Sequence, residues 1–309
     1  MKTVYLNKFM SSVVTELEMN GQYGTAHVCG SVLRSVMAFG GEGLPVSGIT
    51  PLWLKAYEGY LLHKGGKGLA WNTVSTYMRM LQAVYNRAVA RKLAAFIPHQ
   101  FRDVFTGRKA DHRRVLERDD MQKLLVEREP DITSPGMAWA RACLELMFRF
   151  HGMPFVDLAH LRKSDLKDGY LTLRRRKTGM PLSARVDGRA MQLLERYRNR
   201  DDTSPYLLCF LNGNLEGIAA YKDYQRILRL LNSRLRALAL WKKVQGKVTS
   251  YSARHTWATV GRYCHIPIEV ISEGLGHASV TTTEGYMKGF GNSRMDRANK
   301  VIMNYIFKG

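Results

Sequence analysis

The chain has 309 residues, enough for one large domain or two ordinary ones, and its 45% hydrophobic content is normal for a folded globular protein. Its charge is not normal: 47 Lys and Arg against 26 Asp and Glu leave a formal +21. Such a field captures polyanions, nucleic acid before an anionic membrane, because neutralised phosphates release counterions.

No run of about 18 apolar residues is present, so no transmembrane helix is expected. The first ten residues mix Lys2, Asn7 and Lys8 with apolar side chains and contain no signal-peptide core. Helices are predicted at Thr25–Phe39 and at Pro51–Leu62, where Pro51 suits a first turn. His63-Lys64-Gly65-Gly66-Lys67-Gly68 lacks the Gly-Lys-Ser/Thr ending of a phosphate loop and reads as a flexible basic loop. Asn72 to Leu93 is the clearest helix. Val74, Tyr77, Leu81, Val84 and Ala88 fall at steps of three and four, with Arg79, Arg87, Arg91 and Lys92 on the other faces. Those charges suit a solvated surface and a DNA-facing one equally.

Thr106 to Val115 is basic and poor in apolar residues, a linker between a helical domain over 1–105 and a second domain over 116–309. In the second domain, Glu117–Glu127 and Pro135–Phe150 have helical patterns. Gly169 to Leu173 and Pro181 to Val186 read as two strands of a hairpin, with Arg174-Arg175-Arg176-Lys177-Thr178-Gly179 making a cationic tip. Helices dominate the remainder, so the fold class is mainly α with a small β-hairpin or sheet. Cys29, Cys143, Cys209 and Cys264 form no CxxC pair and are expected to be reduced and mostly buried, with neither a disulfide framework nor a zinc site.

Three segments carry the chemistry. In Ser250-Tyr251-Ser252-Ala253-Arg254-His255-Thr256-Trp257-Ala258-Thr259, Ser252 is the expected N-cap, which puts Arg254 in the first turn of a helix, where backbone N–H groups and a guanidinium suit a phosphate. Gly274-Leu275-Gly276-His277 ends a helix and presents His277 at the junction. A further helix is expected to start near Ser279 and to carry Tyr286. Taken singly, a histidine at a helix end is a packing or capping residue, and a tyrosine belongs to the core or the surface.

Taken together, Arg-His-Thr-x-Ala-Thr, then Leu-Gly-His, then Thr-Thr-x-x-Tyr closely resemble the tyrosine recombinase (phage integrase) family. The Arg-Lys-Thr-Gly turn around Lys177 resembles that family's catalytic lysine hairpin, and Phe150 to Ala159 resembles its first conserved box. The resemblance covers most of the chain and is specific in the C-terminal half. It implies a helical N-terminal core-binding (SAM-like) domain, which includes Asn72-Thr73-Val74 and Asn86-Arg87-Ala88, followed by an α+β catalytic domain. It also implies that Tyr286 attacks a DNA phosphodiester to give a 3′-phosphotyrosyl link and a free 5′-hydroxyl, without metal or nucleotide cofactor. Arg254 and His277 would stabilise the non-bridging oxygens, and Lys177 would protonate the leaving 5′-oxygen. The implied partners are double-stranded DNA, a homotetramer on paired sites and DNA-bending accessory proteins, in a nucleoid-associated cytoplasmic protein that binds no membrane.

Two places depart from the family pattern. Pro154 stands where the first arginine belongs, which leaves His151 and Arg149 as substitutes; a step of two on a helix turns Arg149 to another face. Tyr251 stands where a histidine is usual. Both traits are similar to those of Bacteroides-type mobile-element integrases and invertases, which carry Tyr at the second place and Arg-Gly-Met where this chain has His151-Gly152-Met153. The resemblance implies that the C-terminal stretch Ser293 to Ile306, apolar along Met295, Ala298, Ile302 and Tyr305, docks on a neighbouring subunit; its plain reading is a helix packed on its own domain. The rival readings are a type IB topoisomerase, which relaxes DNA without exchanging strands, and a catalytically weak, recombinase-derived DNA-binding protein.

Overall fold

The steps of three and four around Val74 fold as predicted, into one of the helices of the first unit. The computed structural model describes residues 3–109, 115–125, 134–277 and 279–284, together with Met287 and Asn299. The chain divides into two units, Met1–Ala110 and Asp111–Gly309.

The first unit contains α1 (Leu6–Met19), α2 (Tyr23–Gly40), α3 (Pro51–His63) and α4 (Trp71–Ala90). Thr50 caps α3, its hydroxyl accepting from the Trp53 N–H at 3.2 Å, and Pro51 fills the first turn, where a missing N–H costs nothing. The buried stripe of α4 runs through Val74, Met78, Leu81, Val84, Tyr85 and Ala88, with Tyr77 only partly covered. The helix stops at Ala90, short of Leu93, because Lys92 adopts φ 58° and the N–H groups of Lys92 and Leu93 turn back to Val89 and Ala88. Of the basic residues on α4, Arg87 and Arg91 both reach Glu16 of α1, with Arg91 at 2.7 Å. Lys64–Gly66, in the basic loop, forms a single 3₁₀ turn.

The second unit is built around α6 (Pro135–Arg149), which is buried on every side from Ala140 to Met147 and packs against both α9 (Gly217–Trp241) and α10 (Ser252–Tyr263). Around it lie α5 (Arg118–Leu125), α7 (Phe155–Ala159), α8 (Gly188–Arg196), α11 (Ile268–Gly274) and α12 (Val280–Glu284). Asp187 caps α8, accepting from the Ala190 N–H at 2.7 Å. The expected hairpin gains a third strand. Antiparallel β1 (Leu166–Lys167), β2 (Tyr170–Arg174) and β3 (Pro181–Arg185) lie in that order, and Leu171, paired with Ala184, and Leu182 face the core. A two-residue strand carries no period in sequence, which is why β1 escapes prediction.

Two expectations need correction. Tyr251, not Ser252, is the N-cap of α10. Ser252 is the first helical residue, and its hydroxyl accepts from the Thr249 N–H at 3.1 Å, holding the turn before the helix instead of the helix itself. Only Cys29 and Cys143 are buried, while Cys209 and Cys264 are exposed, all four as free thiols. Among the described residues no helix is long and apolar enough to cross a membrane. Ser293 to Ile306 lies outside the described residues apart from Asn299.

Candidate active site

The site begins with two helix junctions. α11 ends in a pair of return hydrogen bonds, Gly276 N–H to Glu273 O at 2.7 Å and His277 N–H to Ser272 O at 3.0 Å. Gly276 takes φ 61° there, and a Cβ on it would lie 2.6 Å from Cδ of Arg175, so glycine is required for both conformation and space. The turn fixes His277 and leaves the carbonyls of Leu275 and Gly276 beyond the helix. The second junction follows α6, where Gly152 has φ 68° and a Cβ would meet Cα of Arg254 at 2.9 Å. This close approach brings the Gly152 carbonyl to the start of α10.

Arg254, in the first turn of α10, is 2% exposed. Nη1 donates to Gly152 O at 3.0 Å; Nη2 donates to Leu275 O at 2.7 Å and to Nε2 of His277 at 2.7 Å. Nδ1 of His277 lies 2.8 Å from Oγ1 of Thr283, a fully buried residue of α12. Burial, and then the positive charges of Arg254, Arg175 and Lys177, push the His277 pKa down to about 4. His277 is therefore neutral at pH 7, with Nε2 accepting from Arg254 and Nδ1–H donating to Thr283.

The hairpin closes the cluster from the other side. Between β2 and β3 the chain turns through Arg175–Met180, with Arg175 N–H on Met180 O at 2.9 Å and Gly179 N–H on Arg175 O at 2.8 Å. Lys177 is exposed on this turn, near enough for its charge to act on His277. Arg175 points inward. Its Nε donates to Oδ2 of Asp157 at 3.1 Å, and its Nη1 donates to the carbonyls of Leu275 and Gly276. Asp157, 2% exposed on α7, also accepts the Arg176 N–H through Oδ1 at 2.9 Å. The carboxylate thus binds the hairpin tip both through backbone and through side chain.

The other expected residues fall as follows. Arg149 is held away from this cluster, with Nε on Glu145 at 2.9 Å and Nη1 on Asp187 at 2.6 Å. His151 has φ 56°, its ring lies 5.6 Å from that of Trp257, and burial lowers its pKa, which opposes a role as a standing cation. Tyr251 is exposed, its ring 6.3 Å from that of His255. Tyr286 lies outside the described residues. Sequence reading misses Arg175, Asp157 and Thr283; Arg175 is the middle of three arginines just where β2 gives way to the turn, and no strand period marks it as inward. Among the described residues no three His, Cys, Asp or Glu side chains converge as metal ligands do. The arrangement offers a dense positive field around polar groups held by helix-end carbonyls, suited to an anion that gains charge.

Known proteins give the same outline. The Phage integrase SAM-like domain matches residues 5–102, and the Phage integrase family matches residues 114–290, more than half of the chain. Tyrosine recombinase XerA of Pyrococcus furiosus is 30% identical over 140 residues, covering 44% of this chain and 46% of XerA, so the match spans about half the length of that relative. A putative integrase/recombinase of Sinorhizobium fredii, y4gC, is 26% identical over 180 residues, or 56% of this chain and 88% of y4gC. In fold, the chain is similar to a lambda integrase (75–356) dimer bound to a COC′ core site, with TM-score 0.66, 19% identity and coverage of 94% and 97%. It is also similar to the Tn1549 transposon integrase in complex with transposon right end DNA, with TM-score 0.65, 14% identity and coverage of 99% and 100%.

Proposed function

Because the chain belongs to the phage integrase family, we propose that it is a site-specific DNA recombinase that cuts and rejoins strands through a tyrosyl ester. Tyr286 is the nucleophile. Its oxygen forms a bond to phosphorus while the P–O5′ bond breaks, leaving a 3′-phosphotyrosyl link; the 5′-hydroxyl of a partner strand later reverses the step. Lys177 delivers the proton to the leaving 5′-oxygen, a role open to an amine that gains and loses a proton and closed to a guanidinium. Arg254 holds positive charge against the pentavalent phosphorane, and His277 fixes that guanidinium through Nε2. Tyr251, at the start of α10, has a hydroxyl able to donate to a phosphate oxygen.

The observation that carries this reading is the buried Arg254 guanidinium, locked by Gly152, Leu275 and His277, with the Lys177 turn beside it. A fully buried arginine held by neutral acceptors is costly unless the site it serves brings negative charge. The first unit acts as a core-binding domain, with the basic stretch 106–115 as its linker to the catalytic unit. The protein works as a tetramer on paired double-stranded DNA sites, with 293–306 docking on a neighbour and DNA-bending proteins assisting. Tyr251 and the Gly152-Met153 pair support a place in the Bacteroides-type group, from which His151 departs, with integration, excision or inversion of mobile DNA in the cytoplasm as the role.

The test is a nicked suicide duplex carrying the protein's own genomic flanks, incubated without metal and run on a denaturing gel. A covalent adduct is expected, and Tyr286→Phe abolishes it. DNA that shifts on a native gel yet never yields an adduct means a non-catalytic DNA-binding protein, with Pro154 in place of arginine as the reason. Relaxation of plasmids without recombination sites identifies a topoisomerase instead.

A further inference from the structure

We propose that Arg175 supplies the second guanidinium of the phosphate pocket, the charge for which Arg149 and His151 are the candidates in sequence. The inference rests on the phosphoryl-transfer reading above and deepens it. Two guanidinium groups share one acceptor, Leu275 O, which receives Nη2 of Arg254 and Nη1 of Arg175. Like charges brought onto one oxygen repel, and water is largely excluded, since the two residues are 2% and 6% exposed. Asp157 pairs with Arg175 and neutralises one charge. With Lys177 on the turn, the cluster holds more positive charge than this carboxylate offsets.

The geometry leaves Arg175 one unused edge. Nε is taken by Asp157, and Nη1 by the carbonyls of Leu275 and Gly276. Nη2 has no hydrogen-bond partner among the described residues. Nor is Nη2 among the buried side-chain atoms left without a partner, so this edge of an otherwise buried guanidinium stays open to an arriving ligand. Arg149, by contrast, is committed to Glu145 and Asp187. Arg175 is thus the cation placed beside Arg254, rigidly held on two sides, with a donor left for an oxygen that arrives with the substrate.

The experiment compares adduct formation by the full chain on two suicide duplexes. One carries the normal scissile phosphodiester. The other carries a methylphosphonate there, which removes the charge of one non-bridging oxygen. Arg175→Gln is expected to slow adduct formation on the phosphodiester by about 100-fold, the usual loss for a preorganised donor. On the methylphosphonate its loss is expected to be at most about tenfold, because less charge needs compensation. Arg175→Lys keeps a charge opposite Asp157 and serves where Arg175→Gln fails to fold, as judged by its melting transition; a smaller preference shift of the same sign is expected. If the variants lose equally on both duplexes, Arg175 only holds the turn and the inference is overturned, as it is if neither substitution slows cleavage or if no protein turns over the methylphosphonate. If the unaltered protein forms no adduct on the phosphodiester, the recombinase reading itself fails, which is a distinct result.

Discussion

Arg149 and Gly152 lie three residues apart and answer to different forces. Arg149 ends α6 and pairs with Glu145, which is almost fully buried and has one oxygen without a partner. Arg149→Ala leaves that carboxylate with Arg189 as its ion-pair partner among the described residues. A loss of about 1–3 kcal/mol in a urea titration is expected, because removing one partner exposes the cost of a buried polar group. Adduct formation per folded molecule stays within a few-fold. Gly152 matters through its backbone: with φ 68° and Arg254 Cα at 2.9 Å from a Cβ, Gly152→Ala pushes α10 away from the turn. We expect it to cost about 1–3 kcal/mol and to reduce cleavage beyond what that loss explains, since the Gly152 carbonyl orients Arg254. Equal adduct rates in Gly152→Ala and the unaltered protein show that the carbonyl does not position Arg254.

At the scale of elements, the site is a meeting of ends: the tip of the β2–β3 hairpin, the ends of α6 and α11, and the start of α10. Asp157 joins α7 to the hairpin, and its loss strands a buried guanidinium. Asp157→Ala is expected to destabilise the protein by about 3–5 kcal/mol, and Asp157→Asn by less, since its amide oxygen still accepts the Arg176 N–H. A melting series over the two variants measures the difference. Thr256, in α10, receives the Leu116 N–H at 3.0 Å and so ties the start of the second unit to the site helix. Thr256→Val keeps the shape, leaves that buried N–H unpaired, and is expected to cost about 1–3 kcal/mol.

At the scale of the molecule, charge and proton uptake set the dependence on conditions. With +21 overall, DNA binding should weaken steeply with salt, by about 10³–10⁵ between about 50 and 200 mM if about six to ten phosphates are contacted. A flat filter-binding curve over that range contradicts phosphate-led binding. His160 and His277 each have a pKa lowered from 6.5 to about 4, chiefly by burial and then by neighbouring cations. Below about pH 6.5 the unfolded chain takes up protons that the folded chain refuses, so stability holds above that pH and falls as pH drops toward 4. His151, whose pKa burial also lowers, acts in the same direction; His160→Gln removes one of these protons and should flatten the fall of the urea midpoint over this window.

Much of this protein follows from its sequence. The charge, the helix periods of α2, α3, α4 and α6, the hairpin strands and the grouping of Lys177, Arg254 and His277 by motif are all legible there, because periodicity and short-range spacing are local properties. Which guanidinium faces inward is not legible. In Arg174-Arg175-Arg176 three identical side chains stand in a row across the end of β2 and the start of the turn, and nothing local singles out the one that is buried. That choice is made by Asp157, 18 residues earlier, and by the Leu275 carbonyl, 100 residues later. The fate of Arg149 is likewise decided by Asp187, 38 residues away. A buried charge is tolerated only where distant acceptors converge on it, and that convergence exists only in the folded chain.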